Sequence, residues 1–271
     1  LLFYRGNTTL NPRRVISIVG TRKCTEYGRD LCECLVRDLA TLCPDLLIVS
    51  GLAYGIDICA HRAALKHGLP TIGVLAHGLD RIYPSVHRNT AAQMTSHGGL
   101  LTEYASNTEP ERQNFLQRNR IVAGMADATV VIESAAKGGA LVTASIANSY
   151  GRDCYAFPGR TYDTASAGCN RLIRLNQAGL ITSADDFIEA MMWTPAQAPK
   201  PEAIQRSLFI DLNEEESRIV ELLGKQEEGV HINTLVVEAK MPINRISPIL
   251  FELELHGIVR PLAGSIYKLI R

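Results

Sequence analysis

The chain has 271 residues, 46% of them apolar, and its 28 Lys and Arg balance 28 Asp and Glu. That length suits roughly two domains with real cores, which excludes a disordered, collagen-like or disulfide-framework chain. Neutrality withholds the overall basic signature of a nucleic-acid binder, so any polyanion site has to be a local cluster.

The chain opens on Leu1 rather than Met, and its start reads as a boundary within a longer protein. No apolar run approaches the roughly 18 residues of a membrane helix, so no membrane partner is expected. Cys24, Cys32, Cys34, Cys43, Cys59, Cys154 and Cys169 contain no C-x-x-C and no zinc spacing. They predict reduced thiols in a cytoplasmic protein, with no metal and no cofactor.

In chain order, uniformly apolar runs at 15–19, 46–49, 71–75, 100–102, 129–132 and 154–157 predict strands buried on both faces. Between them Leu31, Leu35, Leu39 and Leu42 mark one helix face, and 57–67 and 87–96 are further helices. This alternation predicts an α/β fold, a doubly wound, mostly parallel Rossmann-like sheet. Ser183 caps a last helix through Asp186. The Pro/Ala-rich stretch that begins at Thr194 predicts a linker over 194–212, separating domains at 1–193 and 213–271. Beyond it, helices at 214–223, 232–239 and 244–256 precede a hairpin around Ala263-Gly264, the pattern of a winged helix-turn-helix.

Open parallel sheets bind ligands beyond the carboxyl ends of their strands. Gly20-Thr21-Arg22-Lys23 follows the first strand and Ser50-Gly51 the second. Small residues where a strand turns into a helix expose backbone amides to anions. Neither loop is G-x-G-x-x-G or a Walker loop. Phe115, Arg118, Asn119 and Arg120 are expected to flank a helix start, and Lys137-Gly138-Gly139 follows the fifth strand. Asn170 and Arg171 follow the sixth. Together the cations predict a phosphate track on one rim.

These stretches closely resemble the DNA-processing protein A (DprA, also called Smf) family. The resemblance rests on Ser17–Arg22, Val49–Asp57 with Ala60-His61, Phe115 with Arg118-Asn119-Arg120, Val130–Glu133 with Gly138–Leu141, Phe157–Gly159 and Gly168–Ile173, all in order. Leu2–Asn7 is similar to the family's entry into the fold, although a preceding small helical domain common in the family is not present here. The resemblance implies binding of single-stranded DNA and loading of the RecA recombinase onto it during natural transformation, with no catalytic residues. By position it implies Arg22, Arg120 and Lys137 as phosphate holders, helped by the backbone of Gly20, Thr21, Ser50 and Gly51. Asn170 and Phe115 would shape a base or sugar pocket. The chain departs from the family at Gly138-Gly139-Ala140, where a serine-flanked glycine turn is usual, and at Asn176-Gln177-Ala178, where a Gly-Ala pair is usual.

Two other readings compete. A nucleotide phosphoribohydrolase would need a second glycine turn and a carboxylate where this chain has Ile146. A duplex-reading regulator would need a basic recognition helix, yet the third helix of the winged domain holds Arg245 against Glu252 and Glu254. Asp57 and His61, one helical turn apart, have no third metal ligand in reach and are expected as hydrogen-bonded core residues. The apolar residues Leu172, Ile173, Leu180, Ile181, Phe187 and Met191 predict a homodimer through the late sheet edge.

Overall fold

A computed structural model describes residues 1–195, 213–226, 229–262 and 264–270. Residues 196–212 of the expected linker, and Ala263 at the hairpin tip, lie outside the described residues. The chain divides into two compact units, Leu1–Lys200 and Pro201–Arg271.

The first unit runs β1 (Phe3–Gly6), β2 (Val15–Gly20), α1 (Glu26–Leu42), β3 (Leu47–Ser50), α2 (Ile56–Lys66) and β4 (Thr71–Val74). It continues with a short 3-10 turn (Ser85–His87), α3 (Arg88–Ser96), β5 (Gly98–Thr102), α4 (Arg112–Met125), β6 (Ala128–Ile132), α5 (Gly139–Ser149), β7 (Asp153–Ala156), α6 (Ala167–Arg174), β8 (Gly179–Leu180) and α7 (Ala184–Ala190). The eight strands lie in the order β1-β5-β4-β3-β2-β6-β7-β8. All neighbours are parallel except β1, which pairs antiparallel with β5. The six expected strands form. The short edge strands β1 and β8 carried no periodic signal and were not expected.

The apolar strands supply two cores at once. Ile16 and Ile18 of β2 face Leu35, Val36 and Leu39 of α1 and Phe187 of α7, all buried. Val15 and Val19 face the opposite layer, with Ile121 and Val122 of α4 and Ala144 of α5. Two of these helix starts are capped by a side chain, the expected one at Ser183 and one at Thr25 that the sequence reading did not single out. Thr25 accepts from the Gly28 amide at 3.2 Å, and Ser183 accepts from the Asp186 amide at 3.1 Å. Each such cap contributes about 1 kcal/mol. Among the described residues no helix is long and apolar enough to cross a membrane.

The expected dimer surface is largely internal. Leu172, Ile181 and Phe187 are buried in the unit's own cores, and Ile173 and Met191 pack against them. Only Leu180 of the six is exposed.

In the second unit, α8 (Glu214–Gly224) starts with a reciprocal capping box between Asn213 and Glu216. α9 (Ile232–Ala239) and α10 (Ile243–Leu255) follow, with a three-stranded sheet of β9 (Val230–His231), β10 (Val259–Leu262) and β11 (Ile266–Leu269). Ile219, Leu235, Ile246 and Leu250 form its core. Pro248 lies inside α10, where its missing N–H removes one intrahelical bond.

Candidate nucleic-acid interface

The chain leaves β2 toward β3 on one side and returns to β6 on the other, so the β2/β6 pair is the topological switch point. A cleft of about 380 Å³ opens above it. Its walls include Gly20, Thr21, Arg22, Gly51, Asp57, Phe115, Arg118, Asn119, Lys137, Gly138 and Gly139.

One wall is the β2–α1 turn. A Cβ on Gly20 would sit 2.0 Å from the Ile132 carbonyl, so the strand ends close only with glycine there. The Thr21 amide donates to the Glu133 carbonyl at 2.8 Å, and the Ile56 amide donates to the Thr21 carbonyl at 3.1 Å. The buried carboxylate of Glu133 takes the Thr25 amide at 2.8 Å and also the Thr25 hydroxyl. Glu133 itself has φ of +51°, a left-handed backbone unusual for a side-chain-bearing residue. The turn is thus fixed from below while Arg22 and Lys23 on it stay exposed.

The opposite wall is the start of α5. Gly138 is its N-cap, and no side chain caps its first turn. The open amides and the positive end of the helix dipole face the cleft beside exposed Lys137. Between the walls lies the Phe115 ring. Arg22 sits 5.3 Å from its centroid and Arg118 5.8 Å. Tyr83, which the sequence reading did not single out, meets its edge at 5.9 Å.

Several expected contacts turn inward. α4 begins at Arg112, so Phe115–Arg120 lies in the body of the helix rather than at its start. Arg118 is 3% exposed. Its guanidinium donates to the Gly51 carbonyl at 2.7 Å and to the Val74 carbonyl. Burial lowers its pKa to about 10, offset in part by Asp57. Asp57 takes the amides of Gly51 and Ala53, at 3.1 and 3.4 Å. Burial raises its pKa, and Arg118 and those amides pull it back. A Cβ on Gly51 would meet both groups, 2.5 Å from Arg118 Nη2 and 2.7 Å from Asp57 Oδ2. Gly51 and Arg118 therefore form the floor of the cleft and are spent on each other. The Ser50 hydroxyl points down to the Ile18 carbonyl at 2.6 Å and is fully buried.

Arg120 lies outside the cleft and donates to Glu103. Asn119 stays on the wall, its Oδ1 accepting from Arg118 Nε at 3.3 Å. Asn170 shapes a different place, accepting from the Gly159 amide and donating to the Gly159 carbonyl, both at 3.0 Å. His61 is fully buried with Nδ1 2.7 Å from the Thr71 hydroxyl, and burial drops its pKa to about 3. Asp57 and His61 thus bond elsewhere than to each other. No group of three His, Cys, Asp or Glu fit for a metal exists among the described residues.

The geometry finds its match among known proteins. A family model described as DNA recombination-mediator protein A matches residues 1–192, and one described as DprA winged helix domain matches residues 194–265. The DNA processing protein DprA of Streptococcus pneumoniae is 38% identical over 188 residues, 69% of this chain and 65% of its own. Its crystal structure superposes with a TM-score of 0.65, covering 70% of this chain and 65% of that one. The DNA processing protein A of Helicobacter pylori, whose structure is described for a unique single-stranded DNA binding mode, gives a TM-score of 0.64. It is 31% identical, over 70% of this chain and 86% of that one. The chain spans only 44% of a Mycobacterium tuberculosis relative to which it is 45% identical over 176 residues, 65% of this chain. On these matches, the chain belongs to the DNA recombination-mediator protein A (DprA) family.

Proposed function

We propose that the cleft binds single-stranded DNA, holding phosphates on Arg22, Lys137 and the first-turn amides of α5, with a base or sugar against Phe115. The observation that carries this reading is the convergence of those three anion-binding devices on one small cleft. Lys23 and the Gly20-Thr21 backbone extend the same edge. A duplex keeps its base faces stacked on each other and cannot use the Arg22–Phe115 surface, whereas a single strand can. The single-stranded DNA mode of the Helicobacter pylori homologue supports the same choice.

The reading is of a binding protein rather than an enzyme. Asp57 is the carboxylate on the cleft wall, and it is engaged by two amides beside Arg118, so it offers no free base to a bound nucleotide. From its family we carry over the role of loading RecA onto the bound strand in the cytoplasm during natural transformation. A homodimer would close on the β8 edge, where Leu175 and Leu180 are exposed, rather than on the buried residues first expected there.

The test is a titration with matched single- and double-stranded oligonucleotides at two salt concentrations. Single strands bind more tightly, and log affinity falls with log salt at roughly −0.7 per phosphate neutralised. Equal affinity for duplex, or a flat salt response, overturns the assignment.

A further inference from the structure

A second and larger cavity, of about 1010 Å³, lies on the same carboxyl rim beside the first turn of α1. Its far wall is the loop after β7. Nothing in the proposed phosphate track uses it.

Its walls are already built. Asn170 clamps both backbone atoms of Gly159. The Tyr27 hydroxyl donates to the Pro158 carbonyl at 2.9 Å. Asp163 takes the Ala165 amide at 2.9 Å and the Ser166 hydroxyl at 3.4 Å. Into this fixed frame project two aromatic rings, Tyr27, about half exposed at 45%, and Tyr162, largely unburied at 79%. The charges differ from those of the first cleft, since Glu26 and Asp163 stand with Arg160 here. Carboxylates repel a phosphate, while exposed rings attract a flat, uncharged heteroaromatic group. Stacking is tolerant of base identity because every base has a π-face.

The two cavities share one edge. Gly20–Arg22 line the first and Thr25–Tyr27 the second, with Thr25 fixed to Glu133 between them. Thr25 lies three positions after Arg22, a span of at most about 11 Å. That is roughly three nucleotides of stacked single strand at ~3.4 Å each.

We propose that the groove between Tyr27 and Tyr162 is a second subsite that takes nucleobases by stacking, from the stretch of strand that leaves the Arg22–Lys137 cleft. This rests on the single-strand reading above and adds to it a base-binding role for residues outside the phosphate track. Asn170 is then a positioning residue for that subsite.

The experiment compares fluorescence-labelled oligothymidylates of about 2 nucleotides, too short to span both cavities, and about 12 nucleotides on the full chain at one salt concentration, for wild type, Tyr162→Ala and Tyr162→Phe. Because Tyr162 is so exposed, both variants should fold like wild type. Tyr162→Ala should lose about five- to twentyfold on the longer strand and less than about twofold on the shorter. Tyr162→Phe should retain wild-type affinity, and the salt slope of Tyr162→Ala should be unchanged because no phosphate contact is lost. A silent Tyr162→Ala, an equal loss at both lengths, or a shallower salt slope overturns the subsite while leaving the first cleft standing. If wild type itself binds neither length, both readings fall.

Discussion

Two regions of this chain have the architecture of DNA-binding elements, and they present opposite surfaces. The rim cleft holds exposed Arg22 and Lys137 beside an uncapped helix start, with no ion pair on either cation among the described residues. α10, the recognition-helix position of the winged domain, presents Ile243, Phe251 and Leu255, all more than half exposed. Its one arginine, Arg245, is paired with Glu215 at 2.7 Å. On the proposed reading, a polyanion site depends less on which fold carries it than on whether its cations are left unspent. The same lesson holds inside the cleft, where Arg118 is buried and spent on backbone carbonyls while Arg22 stays exposed.

The most disruptive way to test that contrast is Arg118→Ala. The change leaves the carbonyls of Gly51 and Val74 without a donor and Asp57 buried without its cation. Removing one member of such a buried set costs about 3–5 kcal/mol. The expected result is a large drop in melting temperature, with DNA binding lost through loss of the cleft floor. A variant with wild-type stability and weakened binding would instead make Arg118 a direct phosphate contact.

Arg22→Ala and Lys137→Ala probe the unspent cations. Both side chains are exposed, so stability should hold within about 0.5 kcal/mol. Each lost charge-assisted contact should cost roughly 1.5–3 kcal/mol, tenfold to over a hundredfold in affinity. Titration beside thermal melts reads both effects, and wild-type binding by both variants would move the site elsewhere.

Much of the fold is legible in the sequence. Six uniformly apolar runs locate the central strands because a parallel sheet covered on both faces needs apolar residues at consecutive positions. The glycine turns after β2 and β6 mark the switch point. The inward turn of Arg118 is harder to foresee, but one signal exists. Arg118 and Arg120 are two residues apart in a helix, so they point to different sides and cannot serve one cleft together. The four-residue β1 and two-residue β8 are too short to show a period. Glu133 reads as the polar end of a strand, and only its backbone and its bonds to Thr25 reveal it as the support of the Arg22 turn.

Shortening the chain sharpens the comparison between regions. Residues 196–271 carry 9 basic and 11 acidic side chains, a net −2. A chain ending at Pro195 should keep most single-strand affinity, losing at most about tenfold, or roughly 1.4 kcal/mol. Its fold is checked by circular dichroism and its affinity beside the full chain at one salt concentration. A thousandfold loss from a folded truncation would transfer the DNA site to the winged domain and restore the duplex-reading alternative.

The smallest effect is expected at Arg120. It lies on α4 but outside the cleft, and its half-exposed guanidinium already donates to Glu103. An exposed pair of this kind contributes about 0.2–1 kcal/mol, because water screens the charges and two long side chains lose freedom to hold them. Arg120→Ala should therefore shift the melting temperature only slightly. The effect on single-strand affinity should stay within about threefold, since no phosphate contact is removed and the freed Glu103 adds one local negative charge. The salt slope should match wild type, which separates this charge effect from a lost contact, where the slope falls by roughly 0.7. A tenfold loss with a shallower slope would mean that Arg120 abandons Glu103 for phosphate when DNA binds. In that event an ion pair in the free protein would no longer show that a cation is withheld from DNA, and the distinction between the rim and α10 would have to rest on the open start of α5 alone.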